Sequence, residues 1–426
     1  MLRRIAWGFA GLVAVVVIGV PLWVHTHRKD LLTPGDEDLV AVGTQHSERL
    51  PEGFDRMREA VRLSQGLDDS EQLKAMTARE AVDAVWLPDL VQRNRAALTA
   101  LEQAVALSGR IPRDPGALVP DEVLDVLLRV PRLVRLAAAE AAQLGHRGRW
   151  EAAFERAQLG LRVGHALSRY SDPTLIAMMT GVACQSISLR ELEALVRESS
   201  LSARDAKALA QRIESHRITA DSWRTMWAVE YQLTKATFAR VQAADAAGEL
   251  AENEDAAIWL RWIPQDYVYQ PNRTLSLFAQ YARQRQQGSG LSCRDASWSA
   301  PLSQLRMLEI LFAPNPGGRI LVEIATPNFN SFELKRCHTE SMLGLVQASA
   351  ALRAYTQAEG TLPDSLDALV PAYLDAVPLD RYDGAPLRYS KAKGIVYSIG
   401  DDFVDAGGAE PPLQSERSEP TISVAF

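Results

Sequence analysis

From about Pro51 to Gln287, apolar residues recur at spacings of three and four among Leu, Ala, Arg and Glu, the rhythm of helices that bury one face. Over Asn94–Leu107, Leu98, Leu101 and Val105 share such a face, and Gly109–Gly116, with Pro112 and Pro115, breaks it. A helix is predicted to resume over Asp121–Ala142, with Pro131 marking a kink or a boundary. After a turn at Gly145–Gly148, the pattern continues over Trp150–Leu167. Ser171-Asp172-Pro173 predicts the next start, with Asp172 as cap and Pro173 in the first turn, and this helix runs through Cys184 to Arg197. Ser202 is predicted to cap another, and Ala220–Ala247 to be the longest. Trp259, Trp262, Tyr267 and Tyr269 lie among prolines and read as a segment packed beneath its own domain, with stacking on a partner or glycan as the alternative.

Both ends depart from this rhythm. Ile5–Val24 is a run of about twenty uncharged residues, long enough at ~1.5 Å per residue to cross ~30 Å of hydrocarbon. Arg3 and Arg4 precede it, which favours a cytoplasmic N-terminus, although Arg28 and Lys29 lie on the far side. The run ends in Pro21-Leu22-Trp23-Val24 without an Ala-x-Ala site, so an uncleaved anchor is expected over a signal peptide. Near the C-terminus, Leu387 and Tyr389, then Ile395, Tyr397 and Ile399, alternate with period two across Lys391–Gly394, predicting a half-buried β-hairpin. Between these regions, Asn315-Pro316-Gly317-Gly318 is a turn. Arg319–Ala325 fits strand or helix, and Pro327 is expected to end it.

The predicted organisation is mainly α: a membrane anchor over 1–30, a polar linker over 31–50, an α-helical domain over 51–290, a transition segment over 291–335, an α+β module over 336–410 and a flexible tail over 411–426. The stretch of helix, turn through His146–Arg149, then Trp150, Phe154, Ala157 and Leu161 resembles one helical hairpin of a tetratricopeptide-type array. No second copy follows at a period near 34 residues, so the domain reads as irregular and only weakly repeat-like.

Charge and chemistry narrow the function classes. The net charge of -7, without a strongly basic stretch, argues against nucleic-acid binding. No His-Glu-x-x-His, phosphate-loop, dinucleotide or nucleophile-elbow pattern occurs. Cys337 and His338 are adjacent, but neighbours on a helix diverge by ~100° and do not make a dyad. Cys184 sits in an apolar helical stretch and reads as a buried thiol. Cys293 and Cys337 lie outside the strongest helical patterns and are the candidate disulfide if the bulk of the chain is extracytoplasmic; the alternative is three buried free thiols.

The C-terminal module carries a denser set of landmarks. A striped helix is followed by Gly360-Thr361-Leu362-Pro363, Leu366–Leu369, Tyr373-Leu374, Val377–Asp380, Asp383–Tyr389 and Tyr397–Gly400. This order resembles the globular head of the major pseudopilin of type II secretion systems, over about a sixth of the chain. The resemblance implies a small α+β head and, after the Tyr-Ser-x-Gly strand, an acidic calcium-binding loop, here Asp401, Asp402 and Asp405. A solvated acidic turn is the alternative. Met1–Ile5 lacks the prepilin-peptidase motif, so processing and polymerisation as a pseudopilin are not expected. The full-length arrangement resembles bacterial membrane-anchored proteins and implies no particular activity.

Together these features predict a single-pass bacterial inner-membrane protein, held by residues 5–24, with a periplasmic binding or scaffolding role among envelope or secretion proteins. Two alternatives stand beside it: an envelope hydrolase with its site between the helical domain and the C-terminal module, and a calcium-stabilised structural protein.

Overall fold

A computed structural model describes residues 20–41, 52–112, 119–246, 265–296, 313–408 and 420–424. It is mainly helical with one small sheet. The expected anchor lies outside the described residues up to residue 19; its end forms α1 (Val20–Thr26), with Leu22 and Trp23 exposed. Among the described residues no helix is long and apolar enough to cross a membrane.

The chain divides into two compact units that do not follow the boundaries expected from composition. The first comprises residues 1–42, 231–284 and 298–330, and the second comprises 43–230, 285–297 and 331–426. In the first, α2 (Glu37–Ala41) buries Leu39, and Asp36 accepts hydrogen bonds from Tyr231 Oη at 2.6 Å and Lys235 Nζ at 2.5 Å. Residues of the segment expected to be a polar linker, Asp36 and Leu39, are therefore held against the first unit. A buried carboxylate with two donors fixes them.

The second unit begins with α3 (Glu52–Leu63), α4 (Ser70–Thr77), α5 (Leu87–Arg93), α6 (Arg95–Ala106) and α7 (Asp121–His146). Pro131 lies inside α7, which is not interrupted there. The pattern over 150–167 is two helices, α8 (Trp150–Ala157) and α9 (Leu159–Arg169), meeting at Gln158. In α10 (Leu175–Glu198) the cap is Thr174, whose side chain accepts from Ala177 N. Asp172, expected there, is buried in a left-handed conformation and pairs with Arg110 at 3.0 Å. Ser202 does cap α11 (Ala203–Ser215), accepting from Asp205 N. Next comes α12 (Ala220–Ala246). The small helix α13 (Gln265–Val268) and α14 (Pro271–Gly288) precede the longest described helix, α15 (Pro316–Glu359). It runs through Pro327, where a stop was expected, and it contains Cys337, placed outside strong helix by pattern alone.

From Leu343 to Leu352 every residue of α15 is buried. A helix apolar on all sides needs partners on all sides. Here Leu189, Leu192 and Leu195 of α10 and Leu209 and Ile213 of α11 join one apolar cluster with Leu345, Val346 and Leu352. Leu369 of a short 3-10 turn (Leu366–Leu369), Val396 and Ile422 belong to the same cluster. Residues of the C-terminal module thus pack in one apolar cluster with α10 and α11. Its sheet has the order β1 (Arg388–Ser390), β2 (Ile395–Tyr397), β3 (Thr421–Ser423), all antiparallel, with Tyr389 opposite Val396 and Val396 opposite Ile422. The third strand lies in the segment expected to be a flexible tail. It makes β2 central, which is why Val396 is fully buried.

Candidate functional site

A cleft of about 730 Å³ opens in the second unit where the end of α11, the start of α12, residues 289–292, α15 and the loop 374–384 meet. Its floor is a charged lattice on α15. Arg336 is buried; its guanidinium donates to Glu333 at 3.0 Å, to Glu340 at 2.8 Å and to the Ser289 carbonyl at 2.7 Å. Glu333 and Glu340 stand three residues before and four after it, so one face of one helix supplies both counter-charges. The Arg336 guanidinium lies 4.5 Å from the centroid of the Trp223 ring.

Arg381 extends the lattice from the facing loop, at 2.8 Å from Glu340 and 3.0 Å from the Ser289 carbonyl. Burial opposes ionisation of Glu340, but the charges of Arg336 and Arg381 outweigh it and hold this carboxyl below the usual range. At the α11 end, Glu214 takes a two-point contact from Arg217 at 2.7 and 2.8 Å and a third bond from Gln347 at 3.1 Å. Burial again pushes the Glu214 carboxyl up, and these partners bring it down overall. One donor on the wall is left over: the buried Trp223 Nε1 meets no acceptor among the described residues.

A disulfide holds the rim. Cys293 and Cys337 are bonded, with their Cα atoms 6.4 Å apart, and Cys184 is a buried free thiol. The bond ties the 289–296 loop to α15 one residue from Arg336. The loop then holds residues 381–382 through two backbone bonds, Cys293 N to Arg381 O at 2.9 Å and Arg294 N to Tyr382 O at 2.8 Å. Gly344 lets Pro378 approach the helix, since an added Cβ would sit 3.1 Å from the proline side chain.

On the other side of Cys337, His338 faces a second cavity of about 450 Å³, with Met179, Ser186, Thr339, Tyr382 and Asp401. Loss of solvation lowers the imidazole pKa, and the Asp401 charge works against that. Among the described residues no hydrogen bond reaches the His338 ring. The Ser186 hydroxyl is taken by Thr339 at 2.8 Å and by the Val182 carbonyl at 3.0 Å. With Cys337 oxidised, a hydroxyl beside a base remains in Ser215 on the cleft wall, which lies 3.3 Å from His216 Nδ1. It donates to the Arg212 carbonyl at 2.8 Å, while that same ring nitrogen lies 2.6 Å from the same carbonyl.

The acidic loop does not converge. Asp402 accepts from Val404 N at 3.0 Å, and Asp405 accepts from Gly407 N at 2.9 Å and Tyr397 Oη at 3.2 Å and lies 3.6 Å from Arg388. Asp401 faces the His338 cavity instead. Among the described residues no three His, Cys, Asp or Glu side chains are grouped to hold a metal ion.

Arg336, Glu340, Arg381 and Trp223 were not singled out from the sequence. The i−3 and i+4 glutamates around Arg336 were the legible signal. No protein-family model, curated protein or solved structure matches this chain.

Proposed function

We propose that this chain is a membrane-tethered binding protein of the bacterial envelope. Residues 5–24 anchor it in the inner membrane, and the cleft around Trp223 and Arg381 receives a protein partner on the periplasmic side, beside the secretion or envelope apparatus. The observation that carries this reading is the cleft itself: a concave surface whose charges are neutralised internally. Such a surface offers recognition, and the carboxylates that line it are engaged by Arg217, Arg336, Arg381 and Lys207. The disulfide supports an oxidising compartment. The resemblance of the C-terminal module to a pseudopilin head supports the envelope setting.

The test is site-specific photocrosslinking in cells. Gln211 and Asp375, exposed and hydrogen-bonded to each other at 3.0 Å on the rim, would carry the crosslinker. Discrete protein adducts are expected from both positions, lost on Arg381→Glu and absent from the exposed Glu71 of α4. The same adducts from Glu71, or none from the rim, would defeat the reading. A C-terminal reporter active only in the cytosol would defeat the placement.

A further inference from the structure

In the first unit, three segments distant in sequence are knitted into one corner. Asp30 reaches the start of α14, where its carboxylate accepts from Asn272 N at 2.8 Å and Arg273 N at 2.9 Å. Gln270 donates to the His27 carbonyl at 2.7 Å, and Arg28 pairs with Asp266 at 2.8 Å. Asn315, buried before α15, accepts from Gln270 N at 2.8 Å, and its own N–H donates to Tyr267 O at 3.2 Å. Residues 27–32, 266–274 and 315–321 therefore hold fixed positions near one another.

This corner exposes what a folded surface ordinarily hides. Leu32 is 99% exposed even though Leu31 O beside it is held by Asn272, and Leu22, Trp23, Ile320 and Leu321 are exposed as well. It is also cationic. Arg28 is paired, but Lys29, Arg273 and Arg319 meet no carboxylate in an ion pair among the described residues, and Arg273 and Arg319 are close enough to repel. Asp30 is spent on the α14 backbone. Lys29 follows the apolar run by five residues, a reach of at most about 18 Å from Val24.

We propose that this corner lies on an anionic phospholipid surface. Leu32, Ile320 and Leu321 enter the headgroup layer, and Lys29, Arg273 and Arg319 contact lipid phosphates. The inference rests on the reading of residues 5–24 as an anchor, because that run delivers the corner to a bilayer. A tether alone would leave the exposed part free to swing; this contact fixes its orientation.

The test uses the full chain in vesicles of phosphatidylcholine, with and without phosphatidylglycerol, whose acyl chains are brominated to quench a nearby fluorophore. The fluorophore is attached at Leu32→Cys, Leu321→Cys or the control Glu71→Cys; all three side chains are exposed, so labelling leaves the core intact. Quenching at 32 and 321 is expected to exceed that at 71 by about twofold or more in the anionic vesicles, and to fall in neutral ones and in Arg273→Glu with Arg319→Glu. Carbonate extraction separates the two claims. A chain that resists extraction, with 32 and 321 quenched no more than 71, overturns this proposal and leaves the anchor standing. A chain removed by carbonate yet quenched at 32 and 321 on anionic vesicles removes the anchor and keeps the surface contact. A chain that meets neither vesicle overturns both.

Discussion

Asp380 and Arg388 form an ion pair at 3.0 Å whose carboxylate end is wholly shielded from solvent. The same carboxylate accepts from Ser341 of α15, from Ser398 and Ile399 after β2, and from Tyr382 N in its own loop. One side chain thus fastens the cleft loop to the helix beneath it and to the sheet beside it. Asp380→Ala removes five bonds and leaves Arg388 with Asp383 and the more distant Asp405. The expected cost is about 3–5 kcal/mol in urea unfolding, the range for breaking a buried charged network. A loss near 1 kcal/mol would show that the loop is held by packing.

The disulfide predicts a thiol count. Native protein without reductant should show no reactive thiol, because burial pushes the Cys184 thiol up to about 12 and no solvent reaches it. Unfolding without reductant should release one, and unfolding with reductant three. Closing this span contributes about 4 kcal/mol in the loop-entropy model, so Cys293→Ser should lower stability by up to that amount. Two reactive thiols besides Cys184 in unreduced, denatured protein would contradict the pairing.

Acid should weaken the second unit through His165 and His216, whose rings meet edge to face at 5.7 Å. Burial lowers both imidazoles below the ordinary 6.5, and for His165 the His216 charge adds to it. Below 6.5 the unfolded chain therefore takes up more protons than the folded one. The pair's contribution is present above 6.5 and is lost as pH falls through the lowered folded values. Chemical denaturation between pH 7.5 and pH 5, on the order of this window, should show falling stability, with a shallower slope in His165→Gln. An unchanged slope in that variant would remove His165 from the account.

Two glycines set how closely α9 and α10 cross. An added Cβ on Gly164 would meet Gly181 O at 2.7 Å, and one on Gly160 would collide with the Cys184 carbonyl. Both obstacles are backbone, so a rotamer change gives no relief. Gly160→Ala should cost at least as much as ordinary overpacking, about 1–3 kcal/mol, read by thermal unfolding. Tolerance of both substitutions would mean that the helices separate freely.

Trp223→Phe separates stability from recognition. The ring that stacks on Arg336 is largely kept, and the unpartnered N–H is removed. Isolated protein should be no less stable, and up to about 1 kcal/mol more so, because a buried donor without an acceptor is costly. Because that N–H is shut off from solvent, the same variant should leave crosslinking from Gln211 and Asp375 unchanged. Weaker crosslinking would show that Trp223 moves to meet the partner.

Individual residues show how far local pattern reached. Ser202 was readable as a cap because its hydroxyl needs only the next turn of its own chain. Asp172 satisfies the same local rule, yet Arg110, sixty-two residues away, claims it, and Thr174 caps instead. Gly384 and Gly394 take the positive φ that their turns require, which follows from composition alone. The extent of α15 was hidden, because Pro327 is a local stop signal that the surrounding structure overrides. Of the candidate site, the cysteines could be counted, but the lattice joining Arg336 to Arg381 is made across a loop forty-five residues on.

By itself the sequence determined the helical character of the chain, the limits of a few helices such as α6 and α12, the hairpin with its turn and the apolar run near the N-terminus. Each depends on spacing between near neighbours, which backbone geometry turns directly into a face or a turn. Only the tertiary structure decided that residues 343–352 of α15 are buried on all sides, that Thr421–Ser423 closes the sheet, and that α10, α11, α15 and β2 contribute to one core. Those outcomes depend on which distant surfaces exclude water together, and periodicity along the chain does not encode the partner.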